Sequence, residues 1–294
     1  MRDILGVLRE WGPAQLTVER EDGRVEVVQH ADVVTGKPVP PRASVRQRVP
    51  AADLERICAR GWQPSDTRAL GEWLLRAAGG FTGRANSALV SGDPGRPIDD
   101  ALREVEAFYA ERALLPQAQV VVDSPEDAAL VDRGWVRARP GAVDAIVQVA
   151  SVAIARRRRT IDPGNGAVEL DEAPGDEWIR RYGRSIEADS ATVRAVLTSG
   201  DATAFARVGD PIVGIGRAVM TDEWVGLSAV EVDADHRRAG IGTAVVAALL
   251  EWAASLGARS AYVQTVPGNH AAISLYEPFG FVTHHEYKYL RPPD

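Results

Sequence analysis

A glycine-rich turn between a strand and a helix constrains this chain more than any other stretch of its sequence. The turn reads Arg237-Arg238-Ala239-Gly240-Ile241-Gly242. Residues 227–232 before it have the composition of a buried strand, and apolar residues recur at helical spacing after it. Such a turn presents several backbone N–H groups at the positive end of a helix dipole, and glycine leaves room for a close approach. It therefore predicts a binding site for a phosphate-bearing molecule.

Two kinds of ligand fit a turn of this type, a dinucleotide and an acyl-coenzyme A. The dinucleotide fingerprint needs a third small residue where this chain has Val245, and an acidic residue at the end of the next strand, where this chain has none. The turn instead resembles the pyrophosphate loop of the GCN5-related N-acetyltransferase (GNAT) family. That family's signature is Gln/Arg-x-x-Gly-x-Gly/Ala, and Arg237, Gly240 and Gly242 fill it.

A second motif follows at the expected distance. The stretch from Asn269 through Tyr276 to Phe281 is similar to the last helix of the same family, usually Asn-x-x-Ala-x-x-Leu-Tyr-x-x-x-Gly-Phe. The resemblance covers roughly residues 227–281, with weaker agreement back to about Val168. A loop, a helix, a strand and this motif in the same order are far more specific than the loop alone.

The resemblance implies an α+β fold with a mixed, mostly antiparallel sheet flanked by helices, and acetyl-coenzyme A as co-substrate without a metal. The strand before the turn then pairs with pantetheine, and the Val232 N–H becomes the oxyanion donor, a contact worth about 3 kcal/mol. Tyr276 takes the place of the general acid that protonates the leaving thiolate. Asn269 caps the helix that follows it and contacts pantetheine. The predicted cofactor-binding residues are Val230, Glu231, Val232, Arg237, Arg238, Ala239, Gly240, Ile241, Gly242, Thr243, Asn269 and Tyr276.

The general base is the weakest part of the predicted site. Some members of the family carry a glutamate on the strand after the loop helix, and this chain has Gln264 there. Glu231 is the nearest carboxylate and is taken as the second catalytic residue. Asp233 shares its strand face, and either side chain fits a purely structural role equally well. His284 and His285 are remote alternatives.

Composition limits the class of protein. The chain has 294 residues, 45% of them hydrophobic, a net charge of −7 and a pI near 5.4. The length is enough for about two domains, and the acidity disfavours a nucleic-acid binder. No apolar run reaches the roughly 18 residues of a membrane span, and no secretory signal is present, so a cytoplasmic location is expected.

Cys58 is the only cysteine and is expected to be a buried core residue. The basic run of residues 156–159 is expected to be a solvated strand end. Arginine carries almost all the positive charge, which indicates a GC-rich bacterial genome.

Three segments are predicted. Residues 1–49 hold short strands around an Asp-Gly turn, with a further strand at 32–34, and resemble a small SH3-like β domain. Residues 50–160 repeat the order of strand pair, helix, strand and short helix found near the C-terminus, but their turn lacks the glycine signature. They resemble a degenerate GNAT copy, with strands expected at residues 72–77 and 85–90. Residues 165–294 form the predicted catalytic GNAT domain.

The sequence therefore predicts an N-acetyltransferase that passes an acetyl group from acetyl-coenzyme A directly to a primary amine on a small molecule or a peptide. The alternative is a non-catalytic acyl-coenzyme A-binding regulatory module, which the tyrosine motif disfavours. No nucleic acid or membrane partner is predicted. The identity of the amine and the oligomeric state are left open, because the fold does not fix the substrate.

Overall fold

The computed structural model describes residues 3–20, 24–37, 44–158, 167–183 and 190–293. The chain divides into two compact units, Met1–Ala43 and Ser44–Asp294. The elements of the first unit are β1 (Val7–Trp11), β2 (Gln15–Glu19) and β3 (Val25–Gln29).

The three strands of the first unit form an antiparallel sheet in the order β1-β2-β3. Gln15 pairs with Gln29 and Glu19 with Val25, which confirms the predicted hairpin pairing. Its turn, residues 21–23, and the prolines at 38, 40 and 41 lie outside the described residues. The strand predicted at 32–34 is wrong: the chain makes a single 3-10 turn at His30–Asp32 instead.

The second unit begins with the segment that was predicted as a degenerate copy. Its helices and strands are α1 (Ala51–Arg60), β4 (Asp66–Leu70), β5 (Trp73–Ala77), β6 (Ala88–Leu89), α2 (Ile98–Ala110), β7 (Ala118–Val121), α3 (Pro125–Val131), β8 (Val136–Arg137), β9 (Ala145–Ser151) and α4 (Val152–Arg158).

The rest of the second unit carries both sequence motifs. Its elements are β10 (Val168–Asp171), α5 (Asp176–Arg181), α6 (Ser190–Leu197), β11 (Ala202–Val208), β12 (Gly214–Thr221), β13 (Trp224–Val232), α7 (Ile241–Ser255), β14 (Ser260–Thr265), α8 (His270–Tyr276) and β15 (Val282–Arg291).

Twelve strands of the described second unit form one mixed sheet. Eleven follow the order β10-β11-β12-β13-β14-β9-β15-β7-β6-β5-β4, and β8 pairs with β15. Two neighbouring pairs are parallel, β13 with β14 and β6 with β7, and the other pairings are antiparallel. A helix connects the strands of each parallel pair, α7 in one case and α2 in the other, as a parallel connection requires. The same arrangement therefore occurs twice, and the two copies share a sheet because β9 of the first copy lies between β14 and β15 of the second.

The second copy has a core on each face of the sheet. On one face α4, α7 and α8 bury an apolar cluster that includes Val245, Leu249 and Phe281. On the other face α5 and α6 pack with side chains of the first copy in a cluster that includes Trp62 and Phe81. Residues from both copies thus form the core on the second face of the sheet.

Two predictions within this unit need correction. The run of arginines at 156–158 ends helix α4 rather than a strand, and Arg156 pairs with Glu251 of α7. The strand predicted at 85–90 is reduced to Ala88–Leu89, because the preceding residues form a loop around the buried side chain of Asn86. The remainder of the basic run lies outside the described residues.

Cys58 is a core residue, as predicted. It is 2% exposed on α1 and packs among Leu54, Tyr262 and other apolar side chains. Burial raises the pKa of the Cys58 thiol well above its ordinary value. The thiol is therefore not an activated nucleophile. None of the helices in the described ranges combines the length and apolar character that a membrane crossing needs.

Candidate active site

The glycine turn forms an open cluster of amides at the start of α7. Gly240 precedes the helix in the left-handed conformation with φ +80°, and Arg238 is also left-handed with φ +65°. The first hydrogen bond of the helix runs from the Ala244 N–H to the Gly240 carbonyl at 2.9 Å. Within the described chain, the backbone N–H groups of residues 238–243 donate no hydrogen bond. This stretch includes the predicted cofactor-binding residues Ala239, Ile241, Gly242 and Thr243. Clustered free donors at the positive end of a helix dipole favour an anion.

Glycine is present at positions 240 and 242 of the signature for two different physical reasons. The left-handed backbone at position 240 favours glycine, because residues with a Cβ rarely adopt φ near +80°. A Cβ at Gly242 would lie 3.5 Å from Leu275 and 3.8 Å from Val232, which is ordinary contact. Packing within the protein therefore does not require glycine at 242. A ligand that approaches the backbone closely from outside does explain it.

A gap opens beside this turn because β13 and β14 part. Their parallel pairing covers only Trp224–Leu227 on β13, opposite Ser260–Val263 on β14. Beyond Leu227, β13 stays paired with β12, and β14 stays paired with β9. A bulge bends β13 at this point, with Ala229 at φ +52°. The backbone of residues 228–232 consequently lines an opening in the sheet that leads to the glycine turn.

The pairing pattern decides which way the backbone groups in the gap point. The Asp233 N–H donates to the Val213 carbonyl at 2.9 Å, across the ladder of β12 and β13. Because N–H directions alternate along a strand, the N–H groups of Val232 and Val230 point away from β12 and into the gap. The Val232 carbonyl accepts from Arg237 Nε at 3.2 Å. Arg237 therefore anchors the turn to the strand end, whereas Arg238 is exposed and has no partner within the described chain.

Tyr276 and Asn269 lie at the two ends of α8. Asn269 Oδ1 accepts from the Ala272 N–H at 3.1 Å, which confirms the predicted helix cap. Tyr276 is 4% exposed, its ring packs against Phe281 at 5.3 Å between centroids, and its hydroxyl has no hydrogen-bond partner in the described ranges. Burial raises the pKa of Tyr276. The hydroxyl therefore keeps its proton throughout the neutral and mildly alkaline range, as a proton donor must.

The two carboxylates near the gap, Asp233 and Glu231, differ in the partners that they contact. Asp233 forms an ion pair with Arg181 of α5 at 2.5 Å, so its charge is already matched. Glu231 pairs across the ladder with Ile215, whose side chain belongs to the core on the face away from α7. Among the described residues, the Glu231 carboxylate accepts one hydrogen bond, a long one of 3.4 Å from the Gly183 N–H. Glu231 thus differs from Asp233 in forming no ion pair within the described part of the chain.

The other candidate bases lie elsewhere. His284 and His285 are on β15, two strands from β14, and their Nδ1 atoms lie 2.7 Å apart. His284 Nε2 contacts the Val49 carbonyl and His285 Nε2 contacts Glu55, so both rings belong to a buried junction between α1 and the sheet. Across the described residues no group of three or more histidine, cysteine or acidic side chains has the geometry of a metal site.

The corresponding turn of the first copy is closed by its own carboxylates. The Gly92 N–H donates to Glu126 at 2.7 Å, and the Asp93 N–H donates to Glu72 at 2.6 Å. The Gly95 N–H donates to the side chain of Asp93 at 2.8 Å. Anionic oxygens of the protein thus already occupy these donors and repel a phosphate. The turn of the first copy therefore lacks the free amides that the glycine turn of the second copy presents.

Sequence reasoning missed one residue at the gap, Arg84. It belongs to the first copy, yet its Nη2 donates to the carbonyl of Gln264 on β14 at 3.0 Å. No motif marks this arginine, since its position depends on how the two copies pack. Gln264 itself carries no carboxylate where some relatives have one, as predicted from the sequence.

Comparisons with known proteins agree with this geometry. The family described as "Probable histone acetyltransferase Rv0428c C-terminal" matches residues 51–290. An uncharacterized N-acetyltransferase, YobR of Bacillus subtilis, is 31% identical over 248 residues, covering 81% of this chain and 98% of the relative. The probable histone acetyltransferase Rv0428c of Mycobacterium tuberculosis is 30% identical over 301 residues, covering 99% of this chain and 89% of the relative.

Solved structures show the same fold. A GCN5-related N-acetyltransferase from Kribbella flavida superposes with a TM-score of 0.61 at 17% identity, covering 84% of this chain and 97% of that one. A tandem GNAT protein from the clavulanic acid biosynthesis pathway superposes with a TM-score of 0.52 at 18% identity, covering 70% of this chain and 74% of that one. The split strand pair, the open glycine turn and these matches define an acetyltransferase of the GNAT type. The chain belongs to the GCN5-related N-acetyltransferase family.

Proposed function

We propose that this protein is an acetyl-coenzyme A-dependent N-acetyltransferase that transfers the acetyl group directly to a primary amine. The observation that carries the proposal is the open cluster of amides at residues 238–243 beside the gap between β13 and β14. The amides fit a pyrophosphate, and the unpaired edge of β13 fits the amide groups of pantetheine. The thioester then reaches the part of the gap near the Val232 N–H.

The proposed reaction has no covalent enzyme intermediate. The neutral amine attacks the thioester carbonyl, a C–N bond forms, and the C–S bond breaks. The Val232 N–H stabilises the oxyanion, and the Tyr276 hydroxyl supplies a proton to the departing thiolate. Glu231, directly or through a water, accepts the proton that the amine loses. Cys58 takes no part, because it is buried in a core with its thiol protonated.

A thiol-release assay separates catalysis from simple binding. The protein is incubated with acetyl-coenzyme A and a panel of amines that spans amino acids, polyamines, aminoglycosides and lysine peptides. The relative from Mycobacterium tuberculosis is named a probable histone acetyltransferase, so a histone-tail peptide belongs in the panel. Free thiol and an acetylated amine are the expected products. Tight binding of acetyl-coenzyme A without turnover of any amine would instead support the regulatory module.

Glu231→Gln is expected to lower kcat by about 100-fold, because removing a general base typically costs that much. The affinity for acetyl-coenzyme A should stay within about threefold, since the substitution keeps the size and the backbone of the strand. Steady-state kinetics and calorimetry measure the two quantities.

Asp233→Asn is the matched control for this substitution. It removes a carboxylate two residues away, but one whose charge Arg181 already matches. Its kcat should fall much less than that of Glu231→Gln. Equal losses in the two variants would remove Glu231 from the role of base.

A further inference from the structure

Arg84 is held in place by a rigid loop between β5 and β6. Asn86 is 6% exposed and fixes this loop from inside. Its Oδ1 accepts from the N–H groups of Ala78 and Gly80 at 2.8 and 2.9 Å. Its Nδ2 donates to the carbonyls of Phe81 and Thr82 at 2.7 and 3.1 Å. With the side-chain amide bonded at both ends, the loop presents Arg84 in one defined position.

The guanidinium of Arg84 lies at the gap of the second copy. The Val152 N–H donates to the Arg259 carbonyl at 3.1 Å, which sets the alternation along β14. By that alternation the Gln264 carbonyl points away from β9, into the space that β13 has left. Arg84 Nη2 donates to this carbonyl at 3.0 Å. Arg84 therefore reaches the gap where the proposed reaction takes place.

The described residues near Arg84 leave its charge unmatched. Its Nε contacts the Tyr287 hydroxyl at 3.3 Å, and its guanidinium lies 5.1 Å from the ring centroid of Trp62. These partners and the Gln264 carbonyl are neutral. Across the described residues no carboxylate forms an ion pair with Arg84, whereas Arg112 and Arg181 each have one. A guanidinium has five N–H donors, so several remain available for a ligand.

A partly buried cation beside aromatic rings loses part of its hydration, and among the described residues only neutral groups replace that water. A carboxylate brought by the substrate supplies the missing charge, and the planar guanidinium suits that group well. Arg84 shares its face of the sheet with Trp62 and Phe81, and Glu231 projects toward the same face. A cation and an anion thus both face the approach to the gap.

We propose that Arg84 binds a carboxylate of the acceptor, so that the acceptor is an amino acid whose amino group is one or two carbons from its carboxylate. This inference rests on the proposed function, because the attacking nitrogen must lie in the gap that Arg84 also reaches. The amino group and the carboxylate of the acceptor must be close together, because the attacking nitrogen and Arg84 both lie at the gap between β13 and β14. Like-charge repulsion from Arg84 disfavours polyamines and lysine-rich peptides at the same place.

Matched pairs of acceptors test the inference. Each pair is an amino acid and the amine left when its carboxylate is removed, such as phenylalanine and phenethylamine, or leucine and isoamylamine. In the wild-type protein kcat/KM should favour the acid by about 10- to 100-fold, the range expected for a charge-assisted contact. Arg84→Gln should bring the ratio near unity, and Arg84→Lys should keep part of it. An equal ratio in wild type and Arg84→Gln would overturn the inference.

A binding measurement keeps this inference separate from the proposed function. The same pairs are titrated by calorimetry into the full-length protein loaded with coenzyme A, which requires no turnover. Acid-selective binding that Arg84→Gln abolishes supports the inference even if no amine is acetylated, in which case only the proposed function fails. Binding that ignores the carboxylate, or that favours a histone-tail peptide, overturns the inference. Unchanged thermal unfolding and coenzyme A affinity establish that each variant is folded.

Discussion

Replacing Gly240 with aspartate is expected to weaken coenzyme A binding by about 1,000-fold. A carboxylate at the start of α7 lies where the free amides attract a pyrophosphate. Two like charges about 4 Å apart at an effective dielectric constant near 20 repel by about 4 kcal/mol. That energy corresponds to roughly three factors of ten in affinity. Calorimetric titration of coenzyme A into the variant measures the loss.

The helix itself should tolerate this change. Aspartate is one of the few residues with a Cβ that adopt the left-handed conformation, because its short polar side chain can bond to the nearby backbone. Gly240→Asn is the matched control, since asparagine has the same shape and conformational range without the charge. The asparagine variant should bind coenzyme A much more tightly than the aspartate variant, with similar melting temperatures. Equal affinities in the two folded variants would refute the assignment of this turn to the pyrophosphate.

Replacing Tyr276 with phenylalanine is expected to lower kcat by about 100-fold, because the leaving thiolate loses its proton donor. The ring packs against Phe281, and phenylalanine preserves that contact. The hydroxyl has no partner in the described part of the protein, so its removal breaks no internal hydrogen bond. Affinity for acetyl-coenzyme A should therefore change by less than about threefold. Steady-state kinetics with the preferred amine, together with calorimetry, measure the two effects.

Tyr262→Phe is the matched control for the tyrosine prediction. Tyr262 is 2% exposed on β14, and its hydroxyl is also buried without a hydrogen-bond partner within the described residues. Its side chain lies in the core around α1 rather than against α8. Loss of this hydroxyl should leave kcat unchanged. Full activity in the Tyr276 variant, or equal losses in both variants, would remove Tyr276 from the mechanism.

The sequence predicted an element correctly where a single continuous segment contained both its hydrophobic periodicity and its cap. The loop helix begins directly after the glycine turn, and the tyrosine helix begins directly after Asn269, as the sequence predicted. Each of these elements is specified by its own periodicity and cap, which are properties of neighbouring residues. The strand predicted at 32–34 and the strand end predicted for the described arginines at 156–158 were wrong, because apolar and basic runs of that length do not fix one conformation.

Some elements of the site gave no sequence signal at all. No motif marks strand β9 in the sequence, yet β9 is the neighbour that stays paired with β14 where β13 turns away. Arg84 is one arginine among many, and nothing in its neighbourhood marks it as part of another copy's cleft. Pairings between residues more than a hundred positions apart follow from how the whole chain buries its apolar surface, and no local pattern encodes them.

The sequence by itself determined the family, the glycine turn and the tyrosine helix, because each lies within a short continuous stretch whose backbone geometry its own residues dictate. Only the tertiary structure decided that β13 and β14 part beyond Leu227 and that Arg84 of the first copy reaches the gap of the second. It also decided that Asp233 pairs with Arg181, whereas Glu231 forms no ion pair with any residue that the structure describes. These features arise where distant segments meet. Their physical cause is the packing of two copies around one shared sheet, which places charges and backbone groups together that the sequence keeps far apart.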